Sequence, residues 1–300
     1  MNKKVAVLIG GVSNEREISL DSGNSCLNAL KQYGYDAHKI DITTTDFDTI
    51  KQQLNGFDVA FNALHGLFGE DGGIQKILNK LNIPYTHSGY ETSKLAMNKP
   101  KTIELYKLNN IPVAENIIFK PQDFDYDKIP FGKPFVIKPA CEGSSVGLYI
   151  VFEYSSLPDL SDWSFGDIMV EKYISGLELT VAIINDKALN ITELKPQSGV
   201  YDYQAKYTDG ETEHICPANI DKNVANELMK IAEKCHKILN CRGVSRTDFR
   251  YDQKNNIIAT LETNTQPGMT ELSLVPEQAK SIGLNMPNLV NILIEQAQTD

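Results

Sequence analysis

The sequence predicts an α/β domain followed by an α+β region, and three observations support this. An apolar strand opens the chain and ends at Gly10 and Gly11. Strand and helix patterns then alternate as far as Leu81, which is typical of βαβ units and a parallel sheet. From residue 133 onward, short β-rich runs surround Gly- and Ser-containing loops. Three hundred residues exceed one ordinary domain, so two or three domains are expected.

The elements are expected in the following order. The first strands are at 5–9, 35–42 and 58–63, with helices at 19–32 and 73–81. Residues 91–109 are expected to form a helical segment crossed by Pro100, with a domain boundary near residue 93. Extended chain or strands follow at 111–113, 116–119, 135–139 and 148–152. The last third has strands at 179–184 and 188–195, a helix at 224–239, a hairpin, and helices at 274–282 and 288–296.

Composition narrows the class of function. A formal net charge of -10 argues against general nucleic-acid binding and against an anionic membrane surface, so small soluble ligands are the expected partners. The five cysteines are odd in number and lack a CxxC pair, which argues against a disulfide framework or a zinc site. The first apolar run stops at Gly10, too early for a signal peptide or a membrane span. We therefore expect a cytoplasmic protein with reduced thiols.

The predicted hairpin near the C-terminus carries two carboxylates and an amide. Strand side chains alternate between faces, so Arg246 and Asp248 share one face, as do Glu262 and Asn264. A turn centred near Asn255 would place Asp248 opposite Glu262, and Arg246 opposite Asn264. Clustered oxygen ligands suit Mg²⁺, which proteins usually hold with one or two carboxylates and substrate phosphates. The hairpin therefore predicts a nucleotide enzyme.

Two further segments are compatible with nucleotide binding. Residues 142–147, between two strands, can close over phosphates, with Lys138 supplying positive charge; an ordinary flexible hairpin loop is the alternative. Neither the P-loop nor the dinucleotide fingerprint occurs in the sequence. In residues 169–178, the backbone at Lys172 and Ile174 can face a purine, and Glu171 or Glu178 can bind ribose or amino groups. The alternative is a surface strand with a salt-bridging glutamate.

Four segments are candidates for binding a substrate other than the nucleotide. Glu15 follows the first strand and either binds a substrate ammonium or complements a helix dipole, with Ser13 or Asn14 as the helix cap. His65 lies in the site or is simply a loop histidine. Residues 201–210 have the composition of a mobile covering loop, or of an exposed loop with scattered tyrosines. Backbone N–H groups in 265–274 could hold a carboxylate or oxyanion.

Seven stretches of the sequence together resemble the D-alanine–D-alanine ligase family of ATP-grasp enzymes. In chain order they are GGVSNEREISL, ALHGLFGEDG, VIKPACEGSSVG, EKYISGLE, YDYQAKY, RTDF and ETNTQPGMTELSLVP. They run from residue 10 to residue 276, so the resemblance covers nearly the whole chain. It implies a three-domain ATP-grasp fold: an N-terminal Rossmann-like parallel-sheet domain at 1–93, a central subdomain at 94–178, and a C-terminal subdomain with the metal site and lid at 179–300.

The resemblance also implies site residues. Two Mg²⁺ or Mn²⁺ ions would be held by Asp248, Glu262 and Asn264, with Glu262 bridging. ATP would be held by Lys99, Lys138, Glu142, Ser144, Ser145, Glu171, Lys172, Tyr173, Ile174 and Glu178. Asn98, where the family often has Asp, weakens the local alignment that names Lys99. The amino-acid substrates would contact Glu15, His65, Ser144, Arg246, Gly268, Ser273 and Leu274, and Lys206 and Tyr207 of the lid would line the site.

The implied reaction joins two D-alanine molecules for peptidoglycan precursor synthesis. The first carboxylate attacks the γ-phosphate of ATP to give an acyl phosphate and ADP, and the second amine then attacks that carbonyl. Arg246 and the Gly268 N–H are the candidate oxyanion donors. The pair Lys206-Tyr207 favours the dipeptide-forming ligases. The alternatives are the ligases that use D-lactate and other ATP-grasp carboxylate–amine ligases. Family precedent favours a homodimer and leaves open activation by a monovalent cation.

Overall fold

The computed structural model describes residues 3–143, 145–197, 199, 205, 208 and 210–300. Within these residues the strands form three sheets, of three, four and five strands. The α/β and α+β classes predicted from the sequence are both present. No described helix has the length and apolar character needed to cross a membrane.

The N-terminal sheet is parallel and has the order β2-β1-β3. Its elements are β1 (Lys4–Gly10), α1 (Arg16–Tyr33), β2 (Asp36–Ile42), α2 (Phe47–Gln53), β3 (Val59–Asn62) and α3 (Gly73–Leu81). The short helix α2 was not expected from the sequence; Asp46 caps it by accepting a hydrogen bond from the Thr49 N–H. The prediction that Ser13 or Asn14 caps α1 is wrong, because Glu15 is the N-cap residue. Ser13 instead donates its hydroxyl proton to the His65 carbonyl, 2.6 Å away.

Two helices connect the first sheet to the second. They are α4 (Tyr90–Met97) and α5 (Lys99–Leu108), so the single segment expected at 91–109 is in fact broken at Asn98. Pro100 does not cross a helix, because it lies in the first turn of α5, where its missing N–H costs no hydrogen bond. The Asn98 side chain caps α5 by accepting from the Lys101 N–H at 3.1 Å. The break places Lys99 at the start of a helix.

The second sheet is antiparallel and has the order β4-β7-β5-β6. Its strands are β4 (Asn116–Phe119), β5 (Phe135–Pro139), β6 (Tyr149–Val151) and β7 (Ile168–Lys172), and short 3₁₀ helices occupy Pro121–Asp123 and Tyr126–Lys128. The predicted glycine-containing loop therefore connects two neighbouring antiparallel strands, β5 and β6. Its backbone has positive φ at Ser145 and Gly147.

The third sheet, also antiparallel, has the order β10-β9-β8-β11-β12. Its strands are β8 (Leu177–Ile184), β9 (Lys187–Pro196), β10 (Thr212–Ile215), β11 (Val244–Asp252) and β12 (Ile257–Asn264). Helix α6 (Lys222–Ile238) lies between β10 and β11 in the chain, and helices α7 (Leu274–Ser281) and α8 (Met286–Glu295) follow β12. Strand β10 was not expected from the sequence.

The C-terminal helices pack back onto the N-terminal sheet. Val5, Val7 and Ile9 of β1 belong to the same buried cluster as Leu289 and Leu293 of α8. Asp300 reinforces this contact, because its carboxylate accepts from the Tyr90 N–H at 2.7 Å and from Arg242 at 2.8 Å. The first and last parts of the chain therefore share one core, which brings the loops after β1 and β3 to the segment between β12 and α7.

Candidate functional site

The hairpin β11–β12 has the register that the sequence predicts. Arg246 pairs with Asn264, and Asp248 pairs with Glu262. An irregularity in the pairing follows Asp248, so the four polar side chains lie before the point where the register shifts. Residues directly opposite in an antiparallel pair have Cβ atoms about 4.5–5.5 Å apart. Two carboxylates and an amide are thus grouped on one face, and their oxygens are ligands suited to Mg²⁺.

Arg246 and Asp248 form a bidentate pair within this face. The Arg246 Nε and Nη2 atoms donate to the two Asp248 oxygens at 2.9 and 2.7 Å. Thr180 of β8 donates a third hydrogen bond to Asp248 Oδ1 at 2.5 Å. These contacts use both lone pairs of Oδ1 but only one of Oδ2. Asp248 is therefore firmly oriented and retains the capacity to bind a cation through Oδ2.

Buried polar groups support the hairpin from behind. The Tyr106 hydroxyl of α5 donates to Thr263 Oγ1 at 2.6 Å, and Thr263 is hydrogen-bonded to Thr247 Oγ1 at 2.9 Å. Burial raises the pKa of Tyr106 well above its ordinary value, so the hydroxyl keeps its proton. Since Thr263 lies between Glu262 and Asn264, this contact fixes the strand that carries two of the proposed metal ligands.

Lys99 connects the hairpin to the glycine-containing loop. Its ammonium donates to the Glu142 carbonyl and lies 3.3 Å from Glu262 Oε2. Because the side chain of Lys99 is largely buried, this positive charge is held in place by the start of α5. Lys99 therefore lies between the polar face of the β11–β12 hairpin and the glycine-containing loop.

A second buried lysine lies on β5. Lys138 is paired with Glu171 of the neighbouring strand β7, and both side chains are nearly excluded from solvent. A buried lysine retains its charge most readily when it is paired in this way. Lys138, a predicted phosphate contact, thus has as its partner Glu171, a second residue that the sequence predicts to bind the nucleotide.

Two cavities meet at Lys99 and Glu262. The larger, of about 910 Å³, contains every described residue predicted to contact the amino-acid substrates: Glu15, His65, Arg246, Gly268, Ser273 and Leu274. The smaller contains every described residue predicted to bind ATP: Lys99, Lys138, Glu142, Ser145, Glu171, Lys172, Tyr173, Ile174 and Glu178. Asn264 lines the first cavity, Asp248 the second, and Glu262 both.

His65 and Glu15 form a polar cluster in the larger cavity. The His65 ring is hydrogen-bonded to Glu70 at 2.9 Å and to Ser22 at 3.1 Å, so both ring nitrogens are engaged. The ligand atoms of Glu15, His65 and Glu70 lie within 4.8 Å of one another. Two carboxylates beside an oriented imidazole create a site that favours a cationic group such as an ammonium.

The opposite wall of this cavity is the turn that precedes α7. Ser273, the N-cap residue of α7, has a hydroxyl that accepts from the Thr270 N–H at 3.0 Å. A Cβ at Gly268 would lie 2.9 Å from the Ser273 hydroxyl, so a side chain there would displace that hydroxyl. Unsatisfied N–H groups at the start of α7 favour an anion, and the first turn of this helix faces the cavity.

Several details of the site differ from the sequence predictions or add to them. The Lys172 N–H donates to the Glu115 carbonyl at 2.9 Å, so this N–H is already used within the protein. Arg250 lines the smaller cavity and was missed, although it follows Arg246 and Asp248 at the same period of two. Ser144, Lys206 and Tyr207 lie outside the described residues, as does most of the expected lid at 201–210.

Comparison with known proteins agrees with this geometry. The family model described as D-ala D-ala ligase C-terminus matches residues 105–295, and the N-terminal model of the same family matches residues 46–88. D-alanine–D-alanine ligase B of Mesorhizobium japonicum is 46% identical, with 99% of this chain and 98% of the relative covered. A ligase of Sinorhizobium medicae is 45% identical over the same shares.

Solved structures give the same result. The structure of D-alanine–D-alanine ligase from Bacillus anthracis has a TM-score of 0.85 and 31% identity, covering 97% of this chain and 96% of that one. The ATP complex of the ligase from the same organism has a TM-score of 0.84 and 30% identity, covering 99% and 97%. The three sheets, the two adjoining cavities and these matches together show that the chain belongs to the D-alanine–D-alanine ligase family of ATP-grasp enzymes.

Proposed function

We propose that the protein joins two D-alanine molecules to D-alanyl-D-alanine at the expense of ATP, as a step in peptidoglycan precursor synthesis. The observation that carries this proposal is the junction of the two cavities at Lys99 and Glu262. One cavity has the acidic cluster and the anion-favouring turn that an amino acid requires. The other has the paired lysine, the glycine-containing loop and the extended segment that suit a nucleotide.

In this proposal the smaller cavity holds ATP. Lys99 and Lys138 contact the phosphates, the loop from Glu142 to Ser145 covers them, and Glu178 binds the ribose. Asp248, Glu262 and Asn264 fit Mg²⁺ or Mn²⁺ because all three offer oxygen ligands from one face of the hairpin. When bound there, two such ions offset the charge of the phosphates and orient them.

The larger cavity holds the two amino acids. Glu15, which lies near His65, binds the ammonium of the first D-alanine. The carboxylate of this D-alanine points toward the junction with the nucleotide. Attack of that carboxylate on the γ-phosphate gives an acyl phosphate and ADP. Ser273 and the Leu274 N–H hold the carboxylate of the second D-alanine, whose amine attacks the acyl carbonyl and releases phosphate. Arg246 and the Gly268 N–H stabilise the oxyanion of this second step.

Further parts of the proposal concern organisation. We assign residues 1–93 to an N-terminal domain, 94–178 to a central subdomain and 179–300 to a C-terminal subdomain. Ser144, Lys206 and Tyr207 complete the site as a loop contact and a lid. We propose that the protein is a cytoplasmic homodimer. A monovalent cation should be tested as an activator.

The experiment that tests the function is phosphate release from ATP with Mg²⁺ and different acceptors. D-Alanine should support release, whereas L-alanine should not. Adding D-lactate to a limiting concentration of D-alanine should yield no depsipeptide by mass spectrometry. Release that is independent of the amino acid, or that prefers the L form, would contradict the proposal, and a depsipeptide product would favour the D-lactate ligases instead.

A further inference from the structure

Arg250 makes an unusually complete set of contacts beside the proposed nucleotide site. Its Nε donates to the Ile174 carbonyl, its Nη1 to Glu178 Oε2, and its Nη2 to both the Tyr173 hydroxyl and the Gly176 carbonyl, each at 3.0 Å. The Arg250 and Glu178 side chains are largely buried. A guanidinium presents its N–H donors in a rigid planar fork, so this set fixes several acceptors at once.

Three of the four acceptors belong to the connection between two sheets, and the fourth, Glu178, lies at the start of the strand that follows. Strand β7 of the four-stranded sheet ends at Lys172, and β8 of the five-stranded sheet begins at Leu177. Arg250 lies on β11, which pairs directly with β8. A Cβ at Gly176 would lie 2.2 Å from the Tyr251 carbonyl, so the connection is also pressed closely against β11. Arg250 therefore holds the connection against the strand that carries Asp248.

An aromatic contact extends this link toward the glycine-containing loop. The Arg250 guanidinium lies over the Tyr173 ring, 5.2 Å from its centroid. The Tyr173 ring also meets the ring of Phe152, edge to face, at 5.7 Å between centroids. Phe152 directly follows β6, the strand after the loop. Arg250 is thus linked through Tyr173 to the segment that follows β6.

Glu178 gives this arrangement a chemical consequence. Lys172, Tyr173, Ile174 and Glu178 all line the smaller cavity, as does Arg250 itself. Glu178 Oε2 is occupied by Arg250, and this bond fixes the rotation of the carboxylate. A site built to bond a hydroxyl discriminates strongly against an analogue that lacks it, provided that the acceptor is held in place.

We propose that Arg250 is a positioning residue that orients Glu178 and the 173–176 connection, and thereby makes the nucleotide site selective for the ribose hydroxyls. This inference rests on the proposed function, which assigns ATP to the smaller cavity. Arg250 acts through Glu178 and the backbone, without touching the phosphates or the amino acids.

Arg242 provides a matched control. It also bonds two backbone carbonyls, those of His87 and Gln298, and one carboxylate, that of Asp300. It lies over the Tyr85 ring at 4.7 Å, so its contacts resemble those of Arg250 in number and kind. It lines neither cavity. Loss of Arg242 should therefore lower stability in a comparable way without changing the choice of nucleotide.

The test compares Arg250→Met, Arg250→Lys, Glu178→Gln and Arg242→Met with the wild type. KM and kcat are measured for ATP, 2′-deoxy-ATP and 3′-deoxy-ATP with D-alanine, and ADP binding is measured by calorimetry with Mg²⁺. We expect Arg250→Met to bind ADP about tenfold more weakly, which corresponds to losing one hydrogen bond to a charged group. Its preference for ATP over at least one deoxy analogue should fall toward one, as it should in Glu178→Gln.

The other variants separate positioning from general support. Arg250→Lys keeps the charge but lacks the fork, so it should lose the preference like the methionine variant. Combining Arg250→Met with Glu178→Gln should reduce the preference no further than either change alone. Arg242→Met should keep the wild-type preference.

Three results would overturn the proposal: no ribose preference in the wild type, an unchanged preference in Arg250→Met, or an equal loss in Arg242→Met. Failure of the proposed function would be seen separately, as binding of ADP without phosphate release in the presence of D-alanine. In that case the binding of ADP, 2′-deoxy-ADP and 3′-deoxy-ADP still decides the role of Arg250.

Discussion

Replacement of Arg246 by alanine should separate nucleotide binding from turnover. In the proposed reaction Arg246 donates to the oxyanion of the second step, and losing one such donor typically lowers the rate by about 10²- to 10³-fold. The structure adds a second effect, because Arg246 donates two hydrogen bonds to Asp248. Thr180 still holds Asp248 Oδ1 after the change, so the carboxylate stays in place and loses only a competing positive charge. We therefore expect the Kd for ADP with Mg²⁺ to change by less than about threefold, well below 1.4 kcal/mol.

The assay for Arg246→Ala combines steady-state phosphate release with calorimetric titration of ADP. Arg242→Ala is the control, since Arg242 is similarly buried and paired with a carboxylate but lies outside both cavities. It should retain turnover. Wild-type turnover in Arg246→Ala would refute the oxyanion role. A loss of ADP binding that matches the loss of turnover would refute the claim that Thr180 alone keeps Asp248 in position.

Three further predictions concern stability, each measured as the free energy of unfolding in urea. Tyr106→Phe should lower it by about 1–2 kcal/mol, because Thr263 loses its buried donor while keeping Thr247; no change would contradict the supporting role of Tyr106. Gly176→Ala should cost about 1–3 kcal/mol more than Gly56→Ala, since both glycines have positive φ but only Gly176 would clash with backbone, and equal costs would contradict this. Burial lowers the pKa of His87 to about 3, so below pH 6.5 the unfolded chain binds a proton that the native state excludes. The free energy of unfolding therefore falls as the pH is lowered. Between pH 7.5 and 5.5 the wild type should lose about 1.4 kcal/mol more than His87→Asn, and parallel pH profiles would contradict this.

The hairpin shows what could be predicted from the sequence. Its register depends on the period of two and on a polar turn, both of which are local properties of the chain. The pairing of Asp248 with Glu262 is therefore confirmed without reference to any relative. The same period of two extends to Arg250, although metal binding alone predicts no role for it on this face.

Other features depend on contacts that periodicity does not contain. Helix α2 is only seven residues long, too short for an amphipathic pattern to distinguish it from a loop. The helical segment is interrupted at Asn98 because the Asn98 side chain caps α5. From the sequence, Pro100 is the stronger signal for an interruption. The approach of His65 to the turn before α7 requires α8 to pack on the N-terminal sheet, through contacts more than 200 residues apart in sequence. Only the family resemblance could anticipate that convergence.

The charges of the smaller cavity explain why cations belong in the proposed reaction. Four of its carboxylates are paired with basic side chains: Asp248 with Arg246, Glu262 with Lys99, Glu171 with Lys138, and Glu178 with Arg250. Among the described residues that line it, five are acidic and four are basic, so the protein offers no surplus of positive charge. A triphosphate and a substrate carboxylate add only negative charge at the junction. Lysines already committed to carboxylates offset little of that repulsion, because each serves two anions at once. The compensating charge must therefore enter with the nucleotide, and the oxygen ligands of Asp248, Glu262 and Asn264 face the junction where it is required.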